Sequence, residues 1–136
     1  MKLFNRCCCC CPFQQANKKV SPVTLFDTYF IVEAEGKKLR VSYAEFNGNH
    51  EDAMKFCKEN GGGDETVENW RFLARYRDVI NEELERLGKA RIGIWYWANE
   101  KTWWDKDRAF VVYTFNGYVS NDYRYVDYYA RAVSAL

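Results

Sequence analysis

A chain of 136 residues, 48% hydrophobic and 29% charged, can bury one core without disulfide staples. Its net charge of +1, with acids and bases mixed along the chain, excludes the basic stripe of an electrostatic nucleic-acid binder. No apolar run reaches the roughly 18 residues of a membrane-spanning helix, so no transmembrane segment is predicted.

Five of the six cysteines form one block, Cys7 to Cys11; the sixth is Cys57. Adjacent cysteines cannot make a regular disulfide framework, and no CxxC pairs stand at zinc-ligand spacing. Lys2 and Arg6 precede the block, which leaves S-acylation and soft-metal capture open beside an incidental leader. The apolar part of MKLFNRCCCCCPF is too short for a signal peptide, and no small-residue cleavage site follows. Without periodicity, residues 1–24 read as a disordered tail and linker, and 25–136 as one folded domain.

Thr28 to Ala44 reads as a hairpin. Phe30, Val32 and Ala34 alternate on one arm, Leu39, Val41 and Tyr43 on the other, with Glu35-Gly36-Lys37 as the turn. Asn49 is placed to cap a helix from His50 to about Asn60. Ala53, Met54, Phe56 and Cys57 supply its buried stripe, while Glu51 and Asp52 suit its positive end. Gly61-Gly62-Gly63 stops it. The GGGDET stretch lacks the Gly-Lys-Ser/Thr ending of a nucleotide loop. A second helix starts at Val67 or Ala74 and runs to Leu87, with Tyr76, Ile80, Leu84 and Leu87 on one face. Glu82, Glu83, Glu85 and Arg86 form its solvated face, and Gly88 ends it.

Ile92 to Trp97 reads as a strand, Ala98 to Arg108 as a polar loop and Ala109 to Phe115 as a strand. Asn116-Gly117 is the strongest hairpin signal in the chain. Tyr118 to Ser120 returns, Asn121 to Asp127 is a loop, and Tyr128 to Ala135 is a terminal strand. Strands, two helices and more strands make an α+β fold with an antiparallel sheet.

No hydrolytic constellation is legible. His50 is the only histidine and is expected to be solvated at a helix start. Cys57 lies nearly two turns further along the same helix, about 10 Å along its axis. No cofactor or metal motif is found.

The aromatic residues carry the functional signal. Of 24 aromatics, thirteen lie between Trp95 and Tyr129, interleaved with Asn, Asp, Ser and Arg. Stiff rings with polar tips suit a recognition surface, because ordering them costs little entropy. The ligand-binding candidates are Trp103, Trp104, Asp105, Tyr113, Tyr118, Asn121, Tyr123 and Tyr125. At least one of the adjacent Trp103 and Trp104 faces solvent unless the loop folds under, in which case one plugs it into the core. Tyr113 is expected outward beside Tyr118, with Tyr123 and Tyr125 pointing the same way. Tyr128, Tyr129 and Arg131 are expected to be structural, Arg131 tying the terminal strand to a carboxylate.

EDAMKFCKENGG, NWRFLARYRDVINEEL, IGIWYWANE, AFVVYTFNGYV and YYARAVSAL together resemble the Lcl C-terminal domain, over about Phe46 to Leu136. The most specific points are Tyr96-Trp97, Asn116-Gly117 and Tyr129-Ala130-Arg131-Ala132-Val133. The family's Trp-Arg-Leu-Pro appears here as Trp70-Arg71-Phe72-Leu73, without the proline. The resemblance implies a C-type-lectin-like fold: two helices, a small antiparallel sheet, long irregular C-terminal loops and adjacent termini. It implies a non-enzymatic display module for a cell-surface protein or glycan, on a virion or cell surface. Related folds serve as variable proteins of diversity-generating retroelements, including phage tropism determinants, and Tyr113 to Tyr128 has the composition such diversification leaves. An assembly part of a virion or fibre, forming homo-oligomers, is the alternative. The calcium sugar site of such lectins does not carry over: neither proline tripeptide occurs, and Asn121-Asp122 alone cannot supply calcium's six to eight oxygens. Nor does the cysteine chemistry of formylglycine-generating enzymes, since Cys57 has no second cysteine in the folded part.

Overall fold

The computed structural model describes residues 21–136; the Cys7–Cys11 block and the rest of 1–20 lie outside the described residues. Strand β1 (Val23–Leu25) begins two residues inside the expected linker and pairs with β2 (Tyr29–Ala34). β2 turns through Glu35 and Gly36, both at positive φ, into β3 (Lys37–Ser42). Phe30, Val32, Leu39 and Val41 are all fully buried, as their alternation predicts.

A short strand that the sequence does not announce, β4 (Phe46–Gly48), leads into helix α1 (His50–Glu59). Asn49 caps α1 by accepting from the Asp52 amide at 2.9 Å. Two of the glycines behind α1 have separate reasons. Gly61 turns at φ 84, where a side chain would be strained. A Cβ on Gly62 would lie 2.1 Å from a Glu65 carboxylate oxygen, so that glycine is there for close approach.

The expected second helix is two. Thr66 caps α2 (Val67–Arg75) by accepting from the Asn69 amide at 3.0 Å, which resolves its start in favour of Val67. The helix breaks at Tyr76 (φ −110, ψ 14), and α3 (Arg77–Arg86) follows directly. The break sits where Arg75 and the Tyr76 hydroxyl both reach over to the Glu35 carboxylate on the β2–β3 turn. Periodicity alone could not show it, since Trp70, Leu73, Ile80 and Leu84 still enter one core.

The remaining strands are β5 (Trp95–Lys101), β6 (Arg108–Tyr113), β7 (Tyr118–Tyr123), β8 (Tyr128–Ala130) and β9 (Val133–Ala135). β5 starts later than expected and runs on to Lys101 past an irregularity. β7 is three residues longer than expected, and its hairpin turn spans 114–117 rather than Asn116-Gly117 alone. The expected single terminal strand is divided, because the chain leaves one sheet at Ala130 and joins the other at Val133. The described residues thus form three helices and two antiparallel-rich sheets, ordered β1-β2-β3-β9 and β4-β8-β5-β6-β7, with β5 and β8 parallel. This α+β architecture replaces the expected two helices and one small sheet.

Successive residues on a strand face opposite ways. Tyr96 therefore enters a core with Trp70, Ile80, Leu84, Val112 and the first sheet, while Trp97 enters another with Ala53, Cys57, Val111 and Ala132. The second sheet is covered on both faces at its centre. At the sheet crossover Arg131 is fully buried. Its Nε donates to Glu45 Oε2 at 3.1 Å, and Nη2 donates to the Ala90 and Arg91 carbonyls at 3.0 Å each. Glu45 is the carboxylate the sequence reading left unnamed.

Candidate ligand-binding surface

Register divides the eight candidate residues between two faces. On β6 and β7, Arg108 pairs with Tyr123, Phe110 with Asn121, and Tyr113 with Tyr118. Arg108, Phe110, Asn121 and Tyr123 share the face that Val112 carries into the core further along. Tyr113 and Tyr118 are on the other face. Tyr118 and Tyr123 are an odd number of residues apart on one strand, so the expectation that the four tyrosines point the same way is corrected by strand parity.

On the first face, the β5–β6 connection holds Trp103 and Trp104 edge-to-face at 4.5 Å, both against the Phe110 ring. Trp103 is 86% exposed and Trp104 52%, so neither plugs the loop into the core. Asp105 shapes the loop. Its side chain accepts from the Asp107 amide at 2.9 Å, and its carbonyl accepts from the Thr102 hydroxyl at 2.7 Å. Asn121 Oδ1 accepts from Arg108 Nη1 at 2.9 Å, which holds the guanidinium 4.0 Å over the Tyr123 ring. Tyr125 stacks on Tyr123 at 5.4 Å and 13°. The result is a ladder, Arg108–Tyr123–Tyr125, with Tyr125 75% exposed. Phe110 and Arg108 stand outside the eight candidates; their i, i+2 spacing beside the Trp pair was the available signal.

On the opposite face Tyr113 is half-buried against Trp95 at 4.9 Å, and Tyr118 is exposed. Trp95, Tyr128 and Tyr129 line a recess of about 470 Å³, with Glu45 and Arg91. Tyr128 is anchored by its hydroxyl donating to Asp122 Oδ2 at 2.6 Å, and burial followed by that carboxylate pushes its pKa up to about 12.

His50 corrects the sequence reading most sharply. It is 4% exposed, with Nε2 2.8 Å from the Ala98 carbonyl and the ring edge-on to Trp97. Arg124 Nε donates to Nδ1 at 3.1 Å. An arginine can only donate, so Nδ1 must accept and the ring is the neutral Nε2–H tautomer. Burial holds its pKa below the usual histidine value, and the charges of Arg124 and Lys101 add to that against the Ala98 bond. The His50 amide also donates to the Arg124 carbonyl, and the Arg124 amide to the Asp107 carbonyl. His50 therefore ties the turn that carries Tyr125 to the start of α1. The sequence hid this because the contact spans 74 residues.

Between the Tyr123–Tyr125 stack and the first turn of α1 lies a cleft of about 590 Å³, walled by Glu51, Asp52, Asp107 and Arg124. A second cleft, about 600 Å³, separates the β2–β3 turn from α2 and is lined by Glu35, Lys37, Glu68, Arg71 and Arg75. Its charges are largely engaged with one another, in the Arg75–Glu35 and Lys37–Glu68 pairs.

Other titratable groups are committed to structure. Cys57 is buried with its Sγ 3.4 Å from the Arg131 carbonyl, and burial, aided by Glu65, pushes its thiol pKa up, away from the reactive thiolate. Glu65 is 1% exposed, and one carboxylate oxygen accepts from the Gly63 and Val133 amides at 2.9 and 2.7 Å. Burial raises its pKa against those two bonds. Among the described residues no group of three or more His, Cys, Asp or Glu converges, and no helix is long and apolar enough to cross a membrane. Comparison of the chain with family models, curated proteins and solved structures returns no match.

Proposed function

We propose that the chain is a non-enzymatic binding and display module that recognises a protein or glycan on a cell surface through the face formed by Trp103, Trp104, Phe110, Tyr123 and Tyr125. One observation carries this reading: two tryptophans on one loop stand 86% and 52% exposed, backed by Phe110 and continued by a stacked tyrosine pair. Solvated rings of this size, set rigidly side by side, mark contact sites. The residue-level resemblance to the Lcl C-terminal domain supports a C-type-lectin-like arrangement. So does the pairing of β3 with β9, which joins the early hairpin to the last strand. On that reading the module belongs on a virion or cell surface, and its C-terminal segment is a target for retroelement diversification. Adenine-directed variation from Trp95 to Tyr128 across a natural population would reveal the latter.

The test is a screen of the full chain against arrayed glycans and cell-surface proteins, repeated with Trp103→Ala/Trp104→Ala and Tyr123→Ala. The reading expects binding that disappears in these variants while the melting temperature stays within a few degrees. Binding that survives all of them overturns it. The same exposed face would serve a homo-oligomeric assembly protein; sedimentation of a stable oligomer that dissociates on Trp103→Ala would favour that second reading.

A further inference from the structure

The ladder on the aromatic face is occupied at one end only. Arg108 covers Tyr123 at 4.0 Å, and Tyr125 stacks against the same ring at 5.4 Å and 13°. Beyond Tyr125 no further ring or cation is stacked among the described residues. Tyr125 lines the cleft that Glu51, Asp52 and Asp107 wall. None of these three carboxylates belongs to an ion pair among the described residues. The one guanidinium on the wall, Arg124, already donates to His50. The positive end of α1 opens here too. However, the Asn49 side chain has taken the Asp52 amide, and Glu51 and Asp52 offset the helix dipole.

We infer that this cleft receives an arginine side chain from a basic segment of a partner protein, its guanidinium plane extending the Arg108–Tyr123–Tyr125 stack. The inference rests on the binding-module reading and names the chemistry that one part of its surface would recognise. The molecule itself shows the mode, since Arg108 already lies over a tyrosine ring of this ladder while donating to the Asn121 amide oxygen. Guanidinium groups stack on aromatic faces more readily than ammonium groups, because they are planar and less strongly hydrated. Three unpaired carboxylates supply the complementary field. They also disfavour phosphate, which argues against nucleic acid or an anionic membrane as the occupant.

Fluorescence anisotropy with the full chain tests this, using a fluorescein-labelled peptide of alternating Gly and Arg and its citrulline counterpart, which keeps the shape and removes the charge. The Arg peptide is expected to bind at low salt at least tenfold more tightly than the citrulline peptide. Tyr125→Ala is expected to weaken it by about three- to fivefold, the worth of an exposed cation–ring contact. E51Q/D107N is expected to weaken it by about tenfold at low salt and much less at about 1 M salt, where charges are screened. Equal binding of the citrulline peptide, or of the Arg peptide by E51Q/D107N, overturns the inference. So does failure of the Arg peptide to bind. If the arrays still bind and lose that binding on Trp103→Ala/Trp104→Ala, the aromatic-face reading stands and only the cationic ligand falls. If array binding ignores the aromatic variants, both fall.

Discussion

Trp97 and Trp103 are six positions apart and meet opposite ends: the first is fully buried, the second 86% exposed. The same contrast separates Tyr96, fully buried, from Tyr125, 75% exposed. The difference lies in what their polar atoms and neighbours do. Trp97 Nε1 donates to the Gly48 carbonyl at 2.9 Å, and the Tyr96 hydroxyl donates to Glu45. These rings close the two cores on either side of β5. The outer rings touch mainly one another and Phe110, on a face where Val112 is the last residue under cover. An aromatic-rich segment is therefore two populations, one that builds the sheet's interior and one that the sheet presents.

The contrast breaks if both populations contribute alike to stability, so the inner ring gives the largest expected effect. Trp97→Ala removes a fully buried indole and orphans the Gly48 carbonyl, and is expected to cost about 3–5 kcal/mol in urea unfolding. Arg131→Ala comes next. It leaves Glu45 without its cation and releases the Ala90 and Arg91 carbonyls, and a loss of about 3 kcal/mol is expected from the same measurement.

Glu65 gives a smaller and more diagnostic effect. Glu65→Ala orphans the Gly63 amide and the Val133 amide at the start of β9, for an expected cost of about 1–3 kcal/mol by denaturant titration. Because its folded pKa is raised, its protonated form is the one folding favours. Its contribution is present at acid pH and declines as pH rises from the ordinary carboxylate value through the folded one. Glu65→Gln keeps an accepting oxygen and is expected to flatten that slope.

His50 tests the joint between the two populations. Its folded pKa is lowered, so its contribution is full above the usual histidine value of 6.5 and is lost as pH falls through the lower folded value. Protonation removes the acceptor for Arg124 and places two cations together. The amides of Tyr123 to Val126 are expected to lose hydrogen-exchange protection first as pH falls below that window. His50→Gln should abolish the effect, whereas simultaneous loss across β5 and β6 would show that the outer turn has no independent stability.

Much of this division was readable and part was not. The alternation of Phe30, Val32, Leu39 and Val41 located the first hairpin, and Asn49 located α1, because both signals are local. The break at Tyr76 and the burial of His50 depend on partners at Glu35 and Arg124, 41 and 74 residues away. The short strand β4 has three residues and no alternation to show. For the site, composition singled out the segment that carries the exposed rings, yet it placed Tyr113, Tyr118 and Tyr123 on one face. Extending β7 from three residues to six sets Tyr118 and Tyr123 on opposite faces, a parity that composition cannot encode. Asp105 and Asn121, candidates by composition, also hold the loop and Arg108, through partners that composition does not show.

The measurement that tests the division most directly is the unfolding free energy of Trp103→Ala/Trp104→Ala, taken beside Trp97→Ala in the same urea titration. The account expects the double variant to stay within about 1 kcal/mol of the parent, as substitutions at exposed positions do, while the single inner variant falls by several times as much. A loss in the double variant comparable to that of Trp97→Ala would mean that the outer tryptophans hold the fold together, and the surface would cease to be a site held ready for a ligand.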